Sequence, residues 1–303
     1  MQIIFATTVP VFILLMLGYF ARRTGFLPDV FWQYAEKGTY FVLFPALLVV
    51  SLARAELDWQ AAPRLVLAVV LLPVLASVLS LPFKWLLLMD GADFTSFFQG
   101  AVRFNTYIGL ALASTLPNPA MTLAALLIAV MIPVVNVLCV LAFAVYTQTN
   151  VHLGKLLLTL LKNPLIIACL LGIALNLMPW QVPGVGLDVL VKLGQMALPM
   201  GLLAVGAGLH LQSLHAARVP FFWSSLLKLL VLPVGAWFLA ELLELEPIAQ
   251  SVLVLFAALP TASSAYILAR QLGGNATLMA GIITGQTLLG LLTLPLVLAF
   301  ILP

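Results

Sequence analysis

The sequence predicts an all-α membrane protein with ten transmembrane helices, arranged as an inverted repeat of five plus five. Three observations predict this fold. Of the 303 residues, 64% are hydrophobic and only 8% are charged, whereas soluble domains carry about 25% charged residues. Apolar stretches of about 20 residues, the length that spans a bilayer, fill nearly the whole chain. Two of these stretches, one in each half, are broken by polar residues or proline at equivalent places.

The ten predicted transmembrane segments are separated by short connections. Five belong to the first half, residues 1–147, and five to the second half, residues 160–303, with a short cytoplasmic connector at 148–159. The apolar N-terminus lacks the basic region and cleavage site of a signal peptide, so we expect it to form the first spanning helix. The predicted segments are 3–21, 34–53, 64–87, 94–115, 119–147, 160–179, 186–209, 218–243, 248–269 and 275–302.

Basic residues predict the orientation, because Lys and Arg are enriched in cytoplasmic loops. Those that border the odd-numbered loops are Arg22, Arg23, Lys37, Lys84, Lys155, Lys162, Arg218 and Arg270. Those that border the even-numbered loops are Arg54, Arg64 and Lys192. This bias places the odd-numbered loops in the cytoplasm and both termini outside.

An inverted repeat follows from five segments per half, since an odd number reverses the direction in which the second half enters the membrane. Phe44–Leu48 in segment two resembles Leu198–Leu203 in segment seven. The broken segments are the fourth and the ninth, which are equivalent places. Proline is common in membrane helices, so one match alone would carry little weight. Two pairs in the same register favour the repeat.

The breaks are typical of a binding site in a transporter. A half-helix that begins near mid-membrane presents free N–H groups and a partial positive charge, which together bind anions. Asn105 or Thr106 is a good N-cap for the second half of segment four, and hydroxyls follow Pro260 in segment nine. Because the two halves are inverted, both half-helix starts should converge on one carboxylate. The predicted substrate-binding residues are Arg103, Asn105, Thr106, Tyr107, Pro260, Thr261, Ser263 and Ser264.

Two basic residues, Arg103 and Lys228, fall inside predicted spanning segments, while the acidic residues map to loops or helix ends. A charge at the bilayer centre is costly, so it should face a cavity or a partner. Arg103 is expected to face the anion, or to cap backbone carbonyls at the end of the first half of segment four. Lys228 could serve substrate binding or coupling, or be structural. Further polar groups at similar depth either bridge helices or line the cavity, namely Asn136, Thr284 and Gln286.

Several classes of function are disfavoured. No His and no acidic residue maps to membrane depth, so the chemistry of an intramembrane enzyme lacks its base. The net charge of +3 is too small and dispersed to indicate nucleic acid. Cys139 and Cys169 lie in apolar runs, which disfavours a disulfide framework or a metal site. We expect no catalytic residue, no metal and no cofactor.

An ordered set of motifs resembles the auxin efflux carrier family of membrane transporters over essentially the full length. The matching runs are Asn105–Leu110, Lys162–Pro164, Leu171-Gly172, Ala258–Pro260 and Ala265–Arg270. Plant members carry proline before the equivalent of Asn105, where this chain has Phe104, and the long central loop of many plant carriers is absent. The resemblance therefore implies the compact bacterial form, related to malate or malonate permeases and to plant auxin exporters. It also implies a scaffold of helices 1, 2, 6 and 7, and interrupted helices 4 and 9 that cross near the bilayer midplane.

Together these observations predict a secondary active transporter or facilitator for a small organic anion, a carboxylate or dicarboxylate. It would work by alternating access, with its substrate bound at the crossover of helices 4 and 9. An anion channel, or a membrane sensor on a transporter-like scaffold, is the alternative. We expect a multi-pass protein of the bacterial cytoplasmic membrane. Its scaffold helices could form a homodimer.

Overall fold

The computed structural model describes residues 2–55, 62–147, 161–178, 184–215 and 218–301, together with Gly154 and Leu158. Most of the predicted connector at 148–159, including Lys155, lies outside this range. The described residues form helices and no strand, so the all-helical prediction is confirmed. The helices are α1 (Gln2–Arg23), α2 (Asp29–Ala53), α3 (Pro63–Leu86), α4 (Gly91–Val102), α5 (Thr106–Ala113), α6 (Ala120–Tyr146), α7 (Pro164–Leu177), α8 (Gly184–Ala207), α9 (Val219–Leu242), α10 (Pro247–Ala258), α11 (Ser264–Leu272) and α12 (Ala276–Ile301).

Six helices of the described chain, α2, α3, α6, α8, α9 and α12, are long and apolar enough to cross a membrane. The predicted fourth and ninth segments are each divided into two shorter helices, α4 with α5 and α10 with α11. Helix α7 is apolar but has 14 residues. The count of ten spanning helices and the inverted repeat stay predictions.

Helix α2 begins at Asp29, five residues before the predicted start at 34. Pro28 precedes it with an extended backbone, φ −66° and ψ 154°, and the charge of Asp29 suits the positive end of the helix dipole. Trp32 in the first turn is buried, so packing also favours the longer helix. Glu36 therefore lies about two turns inside α2. This corrects the expectation that acidic residues lie only in loops or at helix ends.

Helices α1, α2, α7 and α8 pack extensively on one another. The closest approach is between α1 and α8. A Cβ atom on Gly18 would lie 2.0 Å from the Leu203 carbonyl oxygen, and one on Gly206 would lie 1.8 Å from the Leu15 carbonyl oxygen. Small residues allow such backbone contact between membrane helices, where dispersion forces take the place of the hydrophobic effect. The Arg22 side chain donates to the carbonyl of Ala207 at the end of α8, which joins the same two helices.

Helix α4 lies at the centre of the second group of helices, where it contacts α3, α6, α9, α11 and α12. Its residues from Phe94 to Val102 are all buried, and so are the residues of α10 from Ser251 to Ala258. Both interrupted segments are thus surrounded by other helices close to their breaks. Interrupted backbone is tolerated at membrane depth only when protein or a water-filled cavity surrounds it. The packing of α4 and α10 meets that condition.

The α1–α8 contact gives a stability prediction. We expect Gly206→Ala to lower the free energy of unfolding by about 1–3 kcal/mol or more, because its methyl group must displace backbone rather than a flexible side chain. Gly184→Ala at the start of the same helix is the matched control, since nothing lies within 4 Å of a Cβ there. Thermal unfolding of both variants in detergent measures the difference. Equal melting temperatures would contradict the close packing.

Candidate functional site

The two helix breaks have separate local causes. Pro260 lacks an N–H and disfavours helical backbone at the residue before it, and Leu259 is extended with φ −66° and ψ 141°. In the other break, Asn105 is extended with φ −86° and ψ 101°. Its side-chain oxygen accepts hydrogen bonds from the N–H groups of Tyr107 at 3.1 Å and Ile108 at 3.2 Å. Asn105 is therefore the N-cap of α5, as predicted.

The breaks lie directly against each other, although more than half the chain separates them. The backbone N–H of Asn105 donates to the carbonyl of Pro260 at 2.8 Å. The hydroxyl of Thr261 donates to the carbonyl of Gly100, near the end of α4, at 2.8 Å. These two bonds join the first interrupted segment to the second, and they pair the Asn105 N–H and the carbonyls of Pro260 and Gly100, which continuous helices would have paired internally.

Gln286 of α12 completes the junction. Its side-chain oxygen accepts from the Thr261 N–H at 3.0 Å. It also lies 2.7 Å from the Thr261 hydroxyl oxygen, whose single hydrogen it shares with the Gly100 carbonyl. Its side-chain nitrogen donates to the Gly100 carbonyl at 3.0 Å. Gln286 and Thr261 are both fully buried, with no exposed surface. Gln286 thus bridges helices, and so do Thr284, which accepts from the His210 N–H, and Asn136, which accepts from Arg103.

A pocket of about 350 Å³ opens beside the junction. It lies between the first half of α2, the start of α5, the start of α7 and the start of α11. Five of the predicted binding residues line it, namely Asn105, Thr106, Tyr107, Ser263 and Ser264. The other lining residues are Gln33, Glu36, Lys37, Tyr40, Phe41, Leu165, Ala262 and Ile267.

The wall of the pocket at the junction carries polar atoms without partners. The Asn105 side-chain nitrogen and the Ser263 hydroxyl are buried, and neither has a hydrogen-bond partner among the described residues. Asn105 is only 1% exposed. Helix α11 begins beside them without a side-chain cap, since Ser263 at its N-cap makes no capping bond. A buried polar group without a partner costs about 1–3 kcal/mol. A ligand that supplies acceptor atoms would remove this cost.

Arg103 lies behind this wall and does not line the pocket. It is 8% exposed, and its guanidinium donates to the Asn136 side-chain oxygen at 2.8 Å and to the Ser264 hydroxyl at 3.4 Å. Its Nε atom has no partner, and neither ion pair of the described residues includes it. Its hydrogen bonds go to side chains and not to backbone carbonyls. The structure thus places an uncompensated cation one side chain away from the pocket.

Lys228 lies away from the pocket. It is 1% exposed, in the π-helical turn Leu227–Val231 of α9, and such turns are frequent at functional sites. Ser224, one turn earlier, faces α4, because a Cβ on Gly100 would lie 3.4 Å from the Ser224 Cβ. The proposed role of Lys228 in substrate binding or coupling stays a prediction.

Pro260 and Thr261 form the junction itself and do not line the pocket.

Tyr107 connects the pocket to the other helix group. Its ring lies 4.6 Å from the ring of Phe44 in α2, centroid to centroid. A Cβ on Gly201 of α8 would lie 3.2 Å from the Tyr107 ring. The start of α5 therefore packs directly on α2 and α8, and the pocket lies along this contact between the two helix groups.

One wall of the pocket was missed by the sequence analysis. Gln33, Glu36, Lys37 and Tyr40 are spaced i, i+3, i+4 and i+7 along α2, and this spacing places them on one helix face. This spacing is visible in the sequence, but the predicted helix start at residue 34 placed Gln33 outside the helix. With the helix beginning at Asp29, the polar stripe lies along the pocket.

A family model described as membrane transport protein matches residues 147–298, half of the chain. The chain belongs to this membrane transport protein family. No curated protein matches it. Together with the apolar helices, the family makes the chain an integral membrane transport protein. The matched region contains the second helix break and Gln286, so one side of the junction lies within it.

The junction gives a second stability prediction. We expect Gln286→Leu to destabilise the protein by about 1–3 kcal/mol, because it leaves the buried Thr261 N–H unpaired, while the Gly100 carbonyl keeps its bond from the Thr261 hydroxyl. Gln99→Leu is the matched control, because Gln99 is also fully buried but its side-chain oxygen has no partner. The melting temperature of Gln286→Leu should be far below that of Gln99→Leu. The opposite order would show that Gln286 does not hold the breaks together.

Proposed function

We propose that this protein transports a small organic anion, a carboxylate or dicarboxylate, which binds where the two broken helices meet. The observation that carries the proposal is the pair of unpartnered polar atoms in the pocket wall, the Asn105 side-chain nitrogen and the Ser263 hydroxyl. Both can donate a hydrogen bond, and a carboxylate offers only acceptors. The family membership supports transport rather than catalysis.

The electrostatics of the wall favour the same ligand. Helices α5 and α11 both begin at the junction, and each helix start carries about half a positive charge. Asn105 satisfies two N–H groups of α5 itself. In α11 the N–H groups of Ala265 and Tyr266 donate to the carbonyls of Ala262 and Ser263, so the Asn105 side-chain nitrogen and the Ser263 hydroxyl are the free donors. Arg103 adds a full positive charge behind Ser264. A desolvated carboxylate would be stabilised by all three.

Alternating access would use the contact between the two helix groups. The pocket is lined by the first turns of α2 and α7, next to Lys37 and Lys162, which mark the expected cytoplasmic side. The rings of Phe104 and Phe256 pack edge to face with centroids 5.8 Å apart, and Phe256 belongs to α10, which enters from the expected outer side. The arrangement fits a state open to the cytoplasm and closed to the outside. We further propose a bacterial cytoplasmic membrane, both termini outside, and a homodimer through α1, α2, α7 and α8.

An anion channel or a membrane sensor is the competing function. A channel would need a continuous path, which the packed rings of Phe104 and Phe256 oppose. Transport by proteoliposomes distinguishes the three. A transporter shows saturable uptake that is accelerated by unlabelled substrate on the opposite side, a channel shows no such acceleration, and a sensor shows no uptake.

The binding site is tested by two variants that keep the fold. Asn105→Asp retains the oxygen that caps α5, but it removes the side-chain donor and adds a negative charge. Ser263→Ala removes the other donor. We expect each to weaken carboxylate binding by about 10-fold to 100-fold, since hydrogen bonds to charged groups are worth about 1.5–3 kcal/mol. The double variant should deviate from additivity, because both atoms would contact one ligand.

Calorimetric titration or ligand-induced thermal shift measures these affinities. The control is Ser114→Ala, because the Ser114 hydroxyl bonds to the carbonyl of Ala111 within α5 and lies outside the pocket. Unchanged affinities in both Asn105→Asp and Ser263→Ala would rule out this site.

Arg103 gives a separate prediction. We expect Arg103→Ala to weaken carboxylate binding more than it lowers thermal stability, because the cation acts through Ser264 on the ligand. Arg103→Lys should recover part of the affinity, since lysine keeps the charge but cannot hold Asn136 and Ser264 at once. Affinity and melting temperature are measured on the same samples. A lower melting temperature with unchanged affinity would make Arg103 purely structural.

A further inference from the structure

The pocket is lined by a carboxylate of the protein as well as by the residues proposed above to bind an anion. Glu36 of α2 lines the pocket and is half-buried. The ion pairs of the described residues join Arg22 to Asp29 and Arg64 to Glu244, so Glu36 has no salt-bridge partner there. Its side chain makes no hydrogen bond within the described chain. Its charge is therefore free to act on whatever enters the pocket.

This charge conflicts with a simple anion as the substrate. The pocket measures about 350 Å³, near the lower end of the roughly 300–1,000 Å³ found for ligand sites. A carboxylate bound at Asn105 and Ser263 would share this small volume with the carboxylate of Glu36. Two like charges in one partly desolvated site repel strongly. Binding is favourable only if the ligand brings a compensating group to Glu36.

We propose that the substrate is an aminocarboxylate, which places its carboxylate at Asn105 and Ser263 and its ammonium group at Glu36. The proposal rests on the function proposed above and narrows its substrate class. Glu36 would then determine specificity, because its carboxylate attracts the ammonium group of the ligand and repels a second carboxylate. The rings of Tyr40 and Tyr107 line the same pocket, and aromatic faces attract cations.

Lys37 is the lining residue whose charge favours a dicarboxylate as the substrate. It also lines the pocket, and a second carboxylate could pair with it. However, Lys37 is exposed whereas Glu36 is half-buried, so water screens the lysine charge more strongly. The deeper charge in the pocket is therefore the negative one, and it favours the ammonium.

The test compares ligands that differ only at the end opposite the carboxylate. The probes are ω-amino acids from glycine to 5-aminopentanoate, each with the monocarboxylate and the dicarboxylate of equal carbon number. Affinities are measured by calorimetry on the purified full-length protein. For wild type we expect at least one length at which the amino acid binds tenfold or more tightly than both matched acids. No such length in the series would overturn the proposal.

Variants assign the preference to Glu36. Glu36→Gln should lower the affinity for the preferred amino acid by tenfold or more, while binding of the matched monocarboxylate stays equal or improves. Glu36→Asp keeps the charge and should retain part of the preference, which separates charge from folding effects. Glu246→Gln is the matched control, since Glu246 is an exposed carboxylate before α10 and outside the pocket.

The outcomes separate this inference from the function on which it rests. If Asn105→Asp weakens all ligands but Glu36→Gln leaves the amino preference unchanged, the anion site stands and the aminocarboxylate proposal is wrong. If dicarboxylates bind most tightly and Lys37→Gln removes their advantage, the second group is an anion and the proposal is again wrong. If neither Asn105→Asp nor Ser263→Ala changes any affinity, both the anion site and the proposal fail.

Discussion

The structure depends on how the protein satisfies backbone hydrogen bonds at two breaks inside an apolar helical core. Inside a bilayer no water is available to pair an exposed N–H or carbonyl group, so broken helices need partners within the protein. The two breaks supply them to each other, through the bond from Asn105 to Pro260 and the bond from Thr261 to Gly100. Gln286 then pairs with both Thr261 and Gly100. Neither break could persist alone at this depth without leaving these groups unpaired.

That pairing leaves donors of two pocket-lining residues without partners. Thr261, Gln286 and the Gly100 carbonyl are bonded to one another, whereas the Asn105 side-chain nitrogen and the Ser263 hydroxyl have no partner among the described residues. Burying these two donors without partners lowers the free energy of unfolding, so a purely structural role does not explain them. The cost would be recovered when a ligand supplies acceptor atoms. Asn105 therefore both joins the breaks, through its backbone N–H, and carries one of the groups proposed to bind the substrate.

The sequence predicted the parts of this arrangement that depend on local chemistry. Pro260 and the capping side chain of Asn105 act within a few residues, so both breaks could be located from the sequence. The partner of Thr261 could not, because Gln286 reaches it only through the packing of α12 against α4 and α10. Arg103 was expected to face the ligand or to cap backbone carbonyls, and its guanidinium instead bonds to Asn136 and Ser264 behind the wall. Glu36 was missed because helix boundaries are the least certain part of a hydropathy pattern.

The pocket lies beside a contact between ring surfaces, and that contact lies between two more rigid parts of the structure. The glycines of α1 and α8 bring two backbones into direct contact, and such an interface cannot slide without steric clash. The junction is equally fixed by its hydrogen bonds. Between these rigid parts lies the contact of Tyr107 with Phe44, which consists of ring surfaces. Ring contacts carry no fixed register of hydrogen bonds, so they can be exchanged at lower cost than either neighbour. If the two helix groups move relative to each other, that contact and the adjoining pocket are where the movement would occur.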